Sequence, residues 1–266
     1  MEKQPKEKVW LEKFPFICLD GIDNKRFLNG ITTSNINQNL NEIIQTCLLN
    51  PKGVLKAILE IHYIENKLLI LVLEGNVKEI RNQFENIIFP ADKVKISVIK
   101  ETLRIQKVDN VYSWRKNKPI LLSQNDSDKF ISDNSFYVLP PNDLRIWKMV
   151  QAIPSMNFEI DGVNNPLELG LTDLIDFKKG CFLGQEIMAR LKNVSSLKQE
   201  IRIWKSNNFC RDVNVKNQKI YLANEKEKIV GLITSYAQIN EKEFIGLAMI
   251  KKNYLDLENN FLSHQF

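Results

Sequence analysis

The chain reads as an α+β protein, a mixed body of strands and helices followed by a run of short strands. Three patterns carry that reading. Residues 47–75 hold long apolar runs, CLLNPKGVLKAILEIHYI and KLLILVLEG, broken by turn chemistry at Asn50, Pro51, Lys52 and Gly53. The next segment, NVKEIRNQFENI, changes period, so that Val77, Ile80, Phe84 and Ile87 fall on one face of a helix. Beyond Asn193, QEIRIWKS, QKIYLA, KIVGLITSYA and EFIGLAMIKK are short strands between polar turns, the pattern of a small β-barrel. Strand, helix and strand with hairpins argue for layers rather than a bundle.

In chain order, a polar start leads into FICLDG, a short strand ending at Gly21. Asp23 is placed to cap a helix over 25–29 that turns Phe27 and Leu28 inward. GITTSNINQNL is a polar loop rich in hydroxyls and amides. In the following hairpin Leu59, Ile61 and Tyr63 alternate on one face, and KLLILVLEG is a buried strand. Asn76 and Glu79 stand at capping-box spacing before the apolar stripe. DKVKISVI is an alternating strand; LRIQKV, PILL and FYVL are further strands, with SQNDSDKFISDNS as polar loop of hairpin character. PNDLRIWKMVQAI is a helix stopped before Pro154. The change of pattern divides the chain into a mixed region, 1–194, and a C-terminal barrel, 195–266.

Composition narrows the function. With 266 residues, 44% of them hydrophobic and 26% charged, the chain can bury one large core or two smaller ones. No stretch approaches the roughly 18 apolar residues that cross a bilayer, so no membrane partner is expected. MEKQPKEKVWLEKF lacks an apolar h-region and contains no Arg, so it reads as neither a secretory signal nor a transit peptide; the expected location is cytoplasmic, with reduced thiols. Cys18, Cys47, Cys181 and Cys210 lie far apart without a CxxC pair, which points to no metal site. His62, in a strand run, reads as structural; His264 is the only other histidine. The net charge of +5 is mostly scattered lysine and falls short of a nucleic-acid signature.

The chemistry gathers in FKKGCFLGQEIMAR, Phe177 to Arg190. Gly180 and Gly184 bracket Cys181 and permit a tight bend before a helix N-terminus. Lys178, Lys179 and the helix dipole favour the Cys181 thiolate, a nucleophile or soft ligand; the plain alternative is a small buried hydrophobe. Gln185 and Glu186 bring an amide and a carboxylate to one turn, suited either to a heterocycle with donors and acceptors or to stabilising the helix start. Arg190 either holds an anion or pairs with Glu186 at i,i+4. Lys178, Lys179, Arg190, Lys192 and Lys198 form a basic rim, for which an RNA backbone is a less specific partner.

KGCFLGQE followed by AR resembles the KGCYxGQE signature of the YgfZ family, folate-binding proteins related to the glycine-cleavage T protein; Phe182 stands where Tyr is usual. Weaker similarities run along the chain: FLNGITTSN, the Asn50–Gly53 hairpin, Ala152 in place of a G-x-P glycine, Glu168 at a P-x-E position, and GLITS and IGLAMI in the last strands. The resemblance implies an α+β folate-binding body with a C-terminal β-barrel around a central pocket. It implies tetrahydrofolate or a derivative as ligand, and a role in iron-sulfur cluster assembly or repair that affects tRNA modification indirectly, with iron-sulfur proteins or their assembly machinery as partners. Cys181 is then the reactive thiol, with Lys179, Gly180, Gly184, Gln185, Glu186 and Arg190 around it. Thr32 either lies near the folate or is a plain loop residue, Glu168 either accepts from the amino-pyrimidine edge or is a surface-loop carboxylate, and Trp147 is either a stacking surface or a core residue. The T-protein aminomethyltransferases place a catalytic Asp where this chain reads LEGNVKEIRNQF, which holds none. One-carbon transfer is therefore the second reading, and direct tRNA binding the third.

Overall fold

The computed structural model describes residues 7–37, 42–109, 114–115, 118–193, 197–207, 218–222, 225–255 and 261–262. Cys210 and His264 lie outside them. The chain forms two compact units, one of Met1–Pro140 with Asp173–Gln185, the other of Pro141–Thr172 with Glu186–Phe266.

The first unit is built on β1 (Lys8–Asp20), which is longer than the expected FICLDG strand and begins inside the segment read as polar. KVWLEKF extends because Val9, Trp10 and Phe14 are buried while the charges between them reach solvent. β2 (Ile44–Leu49), β3 (Leu55–Ile64) and β4 (Lys67–Glu74) follow α1 (Asn24–Ile31), and α2 (Val77–Ile87) follows β4. After β5 (Lys95–Ile96), β6 (Lys100–Lys107) and β7 (Ile120–Leu122) come α3 (Gln124–Asp133) and β8 (Tyr137–Val138). The sheet runs β2-β3-β4-β1-β6-β7, with β5 and β8 also paired to β1. Asp23 does not cap α1 with its side chain; the carboxylate instead accepts the Lys93 N–H at 3.0 Å. Asn76 does cap α2, accepting from Lys78 and Glu79. The segment expected as a hairpin-like loop is α3, started by the Ser123 hydroxyl accepting the Asp126 N–H. The expected strand DKVKISVI is reduced to the two residues of β5.

One face of this sheet carries α1 and α2 over a core that includes Ile17, Leu28, Leu59, Ile70, Ile80 and Phe84. Elsewhere in the sheet, buried Arg104 of β6 binds buried Glu60 of β3 at 2.8 Å, although β4 and β1 lie between those strands. Strands stand about 4.8 Å apart, so the long Arg104 side chain reaches across the sheet face, its guanidinium 4.7 Å over the Trp10 ring of β1. His62 and Gln45 also bind the Glu60 carboxylate, at 2.9 and 3.1 Å, and Arg104 donates to Gln106. His62 is thus structural, as expected.

The second unit joins α4 (Pro141–Val150) to the antiparallel strands β9 (Gln199–Ser206), β10 (Gln218–Leu222), β11 (Glu225–Gln238), β12 (Phe244–Lys251) and β13 (Phe261–Leu262). Their order is β13-β10-β11-β12-β9. The expected strands are present, but among the described residues the end strands do not pair, and the sheet is open rather than a closed barrel. α4 ends in a Schellman turn: Ile153 N–H donates to Lys148 and Ala152 N–H to Met149, with Ala152 at φ +49°. α5 (Gln185–Asn193) begins in the first unit and continues in the second.

Candidate functional site

In the first unit the segment 173–185 is stitched along the end of α1 and the loop that follows it. Thr33 Oγ1 donates to the Leu174 carbonyl at 2.6 Å, Asp176 N–H to Thr33, and Leu183 N–H to Gly30. The strongest tie is Lys179. This residue is only 7% exposed, and its ammonium donates to the carbonyls of Asn29, Thr32 and Ser34 at 2.6, 2.7 and 2.7 Å. Three N–H groups meet three acceptors at a helix C-terminus, where positive charge is favoured. Burial pushes this lysine down to about 8, against the pull of Asp176. Lys179 is therefore committed to the backbone rather than directed at the thiol two residues on.

Cys181 is exposed, which removes the buried-hydrophobe alternative and leaves an accessible thiol. Gly184 is required by its surroundings: φ is +81°, and a Cβ would lie 2.9 Å from the Asn50 carbonyl oxygen of the β2–β3 turn. Gly180 has no such demand, since open space lies where its Cβ would be. Gln185 stabilises the turn before α5, its Oε1 accepting the Phe182 N–H at 3.3 Å. In the second unit Glu186 and Arg190 form an exposed pair at 3.7 Å, the plain reading of that spacing. Thr32 is fully buried and donates to the Leu28 carbonyl, so its hydroxyl caps α1. Trp147 is 4% exposed on α4, which favours its reading as a core residue.

Glu168 lies in the second unit, 9% exposed, at one wall of a cleft of about 780 Å³. Val163, Leu191 and Leu197 supply apolar lining, and Lys198, Lys251 and Lys252 supply charge. Asn165 places the carboxylate: its side chain accepts the Leu167 and Glu168 N–H groups, while its own N–H donates to Glu168 Oε2 at 3.2 Å. Among the described residues nothing else donates to the Glu168 carboxylate, while its backbone carbonyl accepts the Ile201 N–H at 2.8 Å. Burial raises its carboxyl above the ordinary range, opposed by the Asn165 bond and by Lys198. A partly desolvated acid with an open hydrogen-bonding face, in a half-apolar cleft with a basic rim, suits a flat amino-heterocycle carrying a distant anionic group.

The first unit has a larger cleft of about 1070 Å³, lined in part by Ser34, Asn35, Gln45 and residues 173–176. Its charged residues are Glu42, Asp173 and Asp176 against Arg115 and Lys118, and Arg115 is paired with Asp173 at 3.2 Å. That balance suits a polyanion poorly.

Sequence reasoning missed Lys251 and Lys252, which lie far along the chain from Glu168, and a buried carboxylate, Glu159. Glu159 accepts from Ser235 at 2.7 Å, from Thr234, and from the Ser155 hydroxyl and N–H. The Thr-Ser pair of GLITS was the available signal for it. Among the described residues no group of three or more His, Cys, Asp or Glu side chains could hold a metal ion, and no helix is long and apolar enough to cross a membrane.

No family model matches the chain. It is 25% identical over 301 aligned residues to a chloroplastic Arabidopsis thaliana protein provisionally named a transferase; the alignment covers 94% of this chain and 66% of that relative, so the chain spans about two thirds of the relative's length. Among solved structures it resembles the glycine cleavage system aminomethyltransferase T of Bartonella henselae, with a TM-score of 0.72 at 11% identity, over 94% of this chain and 80% of that one. The likeness shows that the chain has the fold of aminomethyltransferase T.

Proposed function

We propose that the chain binds a reduced folate, tetrahydrofolate or a derivative, in the Glu168 cleft, and serves as a folate-binding accessory protein in iron-sulfur cluster assembly or repair. The observation that carries this reading is Glu168, a buried carboxylate with an unused acceptor face in a cleft that also presents Lys198, Lys251 and Lys252. The carboxylate accepts from the amino-pyrimidine edge, the apolar wall covers the ring, and the lysines meet the glutamate tail. The aminomethyltransferase T fold supports a folate ligand. The signature KGCFLGQE and the exposed Cys181 support the iron-sulfur role, in which effects on tRNA modification are secondary.

A second reading, folate-dependent one-carbon transfer, is favoured by the fold and by the name of the Arabidopsis relative. Against it stands the segment after β4, where no Asp occurs and Asn76 is occupied in capping α2.

Anaerobic calorimetric titration with tetrahydrofolate tests the ligand. Micromolar binding, about −8 kcal/mol, is expected for the wild type and for Cys181→Ala, with at least a tenfold loss in Glu168→Gln. Because burial raises the Glu168 carboxyl, affinity should begin to fall at a higher pH than an ordinary glutamate would dictate. Absence of wild-type binding would overturn the folate reading, and turnover of a one-carbon folate by the wild type would favour the second.

A further inference from the structure

One end of the first unit's sheet gathers the last residue of β1, the turn between β3 and β4, strand β5 and the loop after α2. The register shows this: Leu19 pairs with both Leu68 and Ile96, Asp20 with Lys95, and Ile64 with Lys67. Four large apolar side chains stand out from this end, Ile22 at 82% exposure, Phe89 at 72%, Val98 at 62% and Ile64 at 45%. Monomeric proteins scatter such residues singly; four on one rim, two of them almost as open as in a free peptide, need an explanation.

The loops that bear them are joined to one another. Lys93 N–H donates to Asp23 at 3.0 Å, Arg26 spans Asp23 and Asp92 at 3.3 and 2.8 Å, and Phe89 N–H donates to Asp92 at 3.0 Å. Asn24 reaches the Asn66 carbonyl in the β3–β4 turn. Held in this way, Ile22, Ile64 and Phe89 lose little freedom when they enter another medium. Exposed Lys93, Lys95 and Lys100 stand beside them together with exposed Glu65, while Lys67 is paired with Asp20 and Asp23 and Asp92 share Arg26.

We propose that this end of the first unit docks on an anionic lipid surface, with Ile22, Ile64 and Phe89 entering the interface and the lysines facing the headgroups. Convex tips favour a bilayer over a folded partner, because side chains this exposed line no groove and would need a matching concavity opposite them. A fluid interface supplies that without prior shaping, and anionic headgroups complement the lysines. The ten residues of β3 separate these tips from the Asn50–Gly53 turn on which Gly184 packs, about 30 Å at the rise of a strand. The segment bearing Cys181 therefore stays clear of the surface.

Co-sedimentation of the full chain with phosphatidylcholine vesicles, plain or containing about a third phosphatidylserine, tests this. Binding is expected with the anionic vesicles only, weakening as salt is raised. Ile22→Ser with Phe89→Ser should cost about tenfold or more, and Lys93→Ala with Lys95→Ala about 30-fold. All four positions are exposed, and unchanged thermal unfolding confirms that the variants fold. Equal binding to both vesicles, no binding to either, or full binding by both variants would overturn the proposal. So would capture by soluble polyglutamate without vesicle binding, which would assign the lysines to an acidic partner in solution.

Discussion

Ala152 occupies a backbone conformation that a side chain makes costly. At φ +49° it is the left-handed residue of the Schellman turn closing α4, a place where glycine is the usual solution. Ala152→Gly should therefore raise stability by about 1 kcal/mol, read as a higher urea midpoint with an unchanged slope. A loss of stability would mean that the Ala152 methyl packs to greater effect than its backbone is strained. Gly184 is the converse, since both its φ and the Asn50 carbonyl exclude a Cβ. The glycine of the signature that the structure needs is the second, and spacing alone could not tell it from Gly180.

At the scale of the element, α2 shows how little is required for a helix to be legible. Asn76 and Glu79 mark the start, and Ile80 and Phe84 mark the buried face. Asn76→Ala should cost about 1 kcal/mol in chemical unfolding, and Asn76→Asp should retain most of that stability. α3 carries the same kind of start at Ser123 and Asp126, but its body is nearly all polar and no apolar stripe announces it. The first half of β1 failed to show in the sequence for a different reason: its charged residues interrupt the apolar pattern at Lys8, Glu12 and Lys13, and its pairing to four other strands is what holds it extended. The site was legible as far as chemistry is local. Motif and loop offered Cys181 and Glu168 as candidates without deciding whether either is exposed or buried. The Lys179 cage, and Lys251 and Lys252 facing Glu168, depend on partners roughly 80 to 150 residues away, for which a single sequence carries no spacing rule.

At the scale of the whole molecule, the sheet of the first unit buries a charge pair, Glu60 with Arg104. Burial alone would raise the Glu60 carboxyl, but the His62 bond and the charge and bonds of Arg104 outweigh it and hold it at about 2. A carboxyl lowered on folding stabilises the folded state fully above its ordinary value near 4.5. That contribution, on the order of 3 kcal/mol, is lost as pH falls from there through about 2. Urea unfolding followed from pH 7 to pH 3 should show this loss. Arg104→Met alone should cost about 3–5 kcal/mol, whereas Glu60→Leu with Arg104→Met should recover much of it, because the pair is removed rather than broken. If the double variant is no better than the single one, the network contributes shape as well as charge.

The chain passes between its two units at Pro140, Thr172 and Gln185. During synthesis the first unit therefore lacks its last segment until residue 185 has left the ribosome. α4 emerges early, but it packs on β11 and β12, strands made some 75 to 100 residues later. At roughly 5–20 residues per second, Trp147 and Met149 wait several seconds without their sheet. The newborn chain is then a finished half with a sticky, partnerless helix trailing from it, a form that calls for chaperone protection.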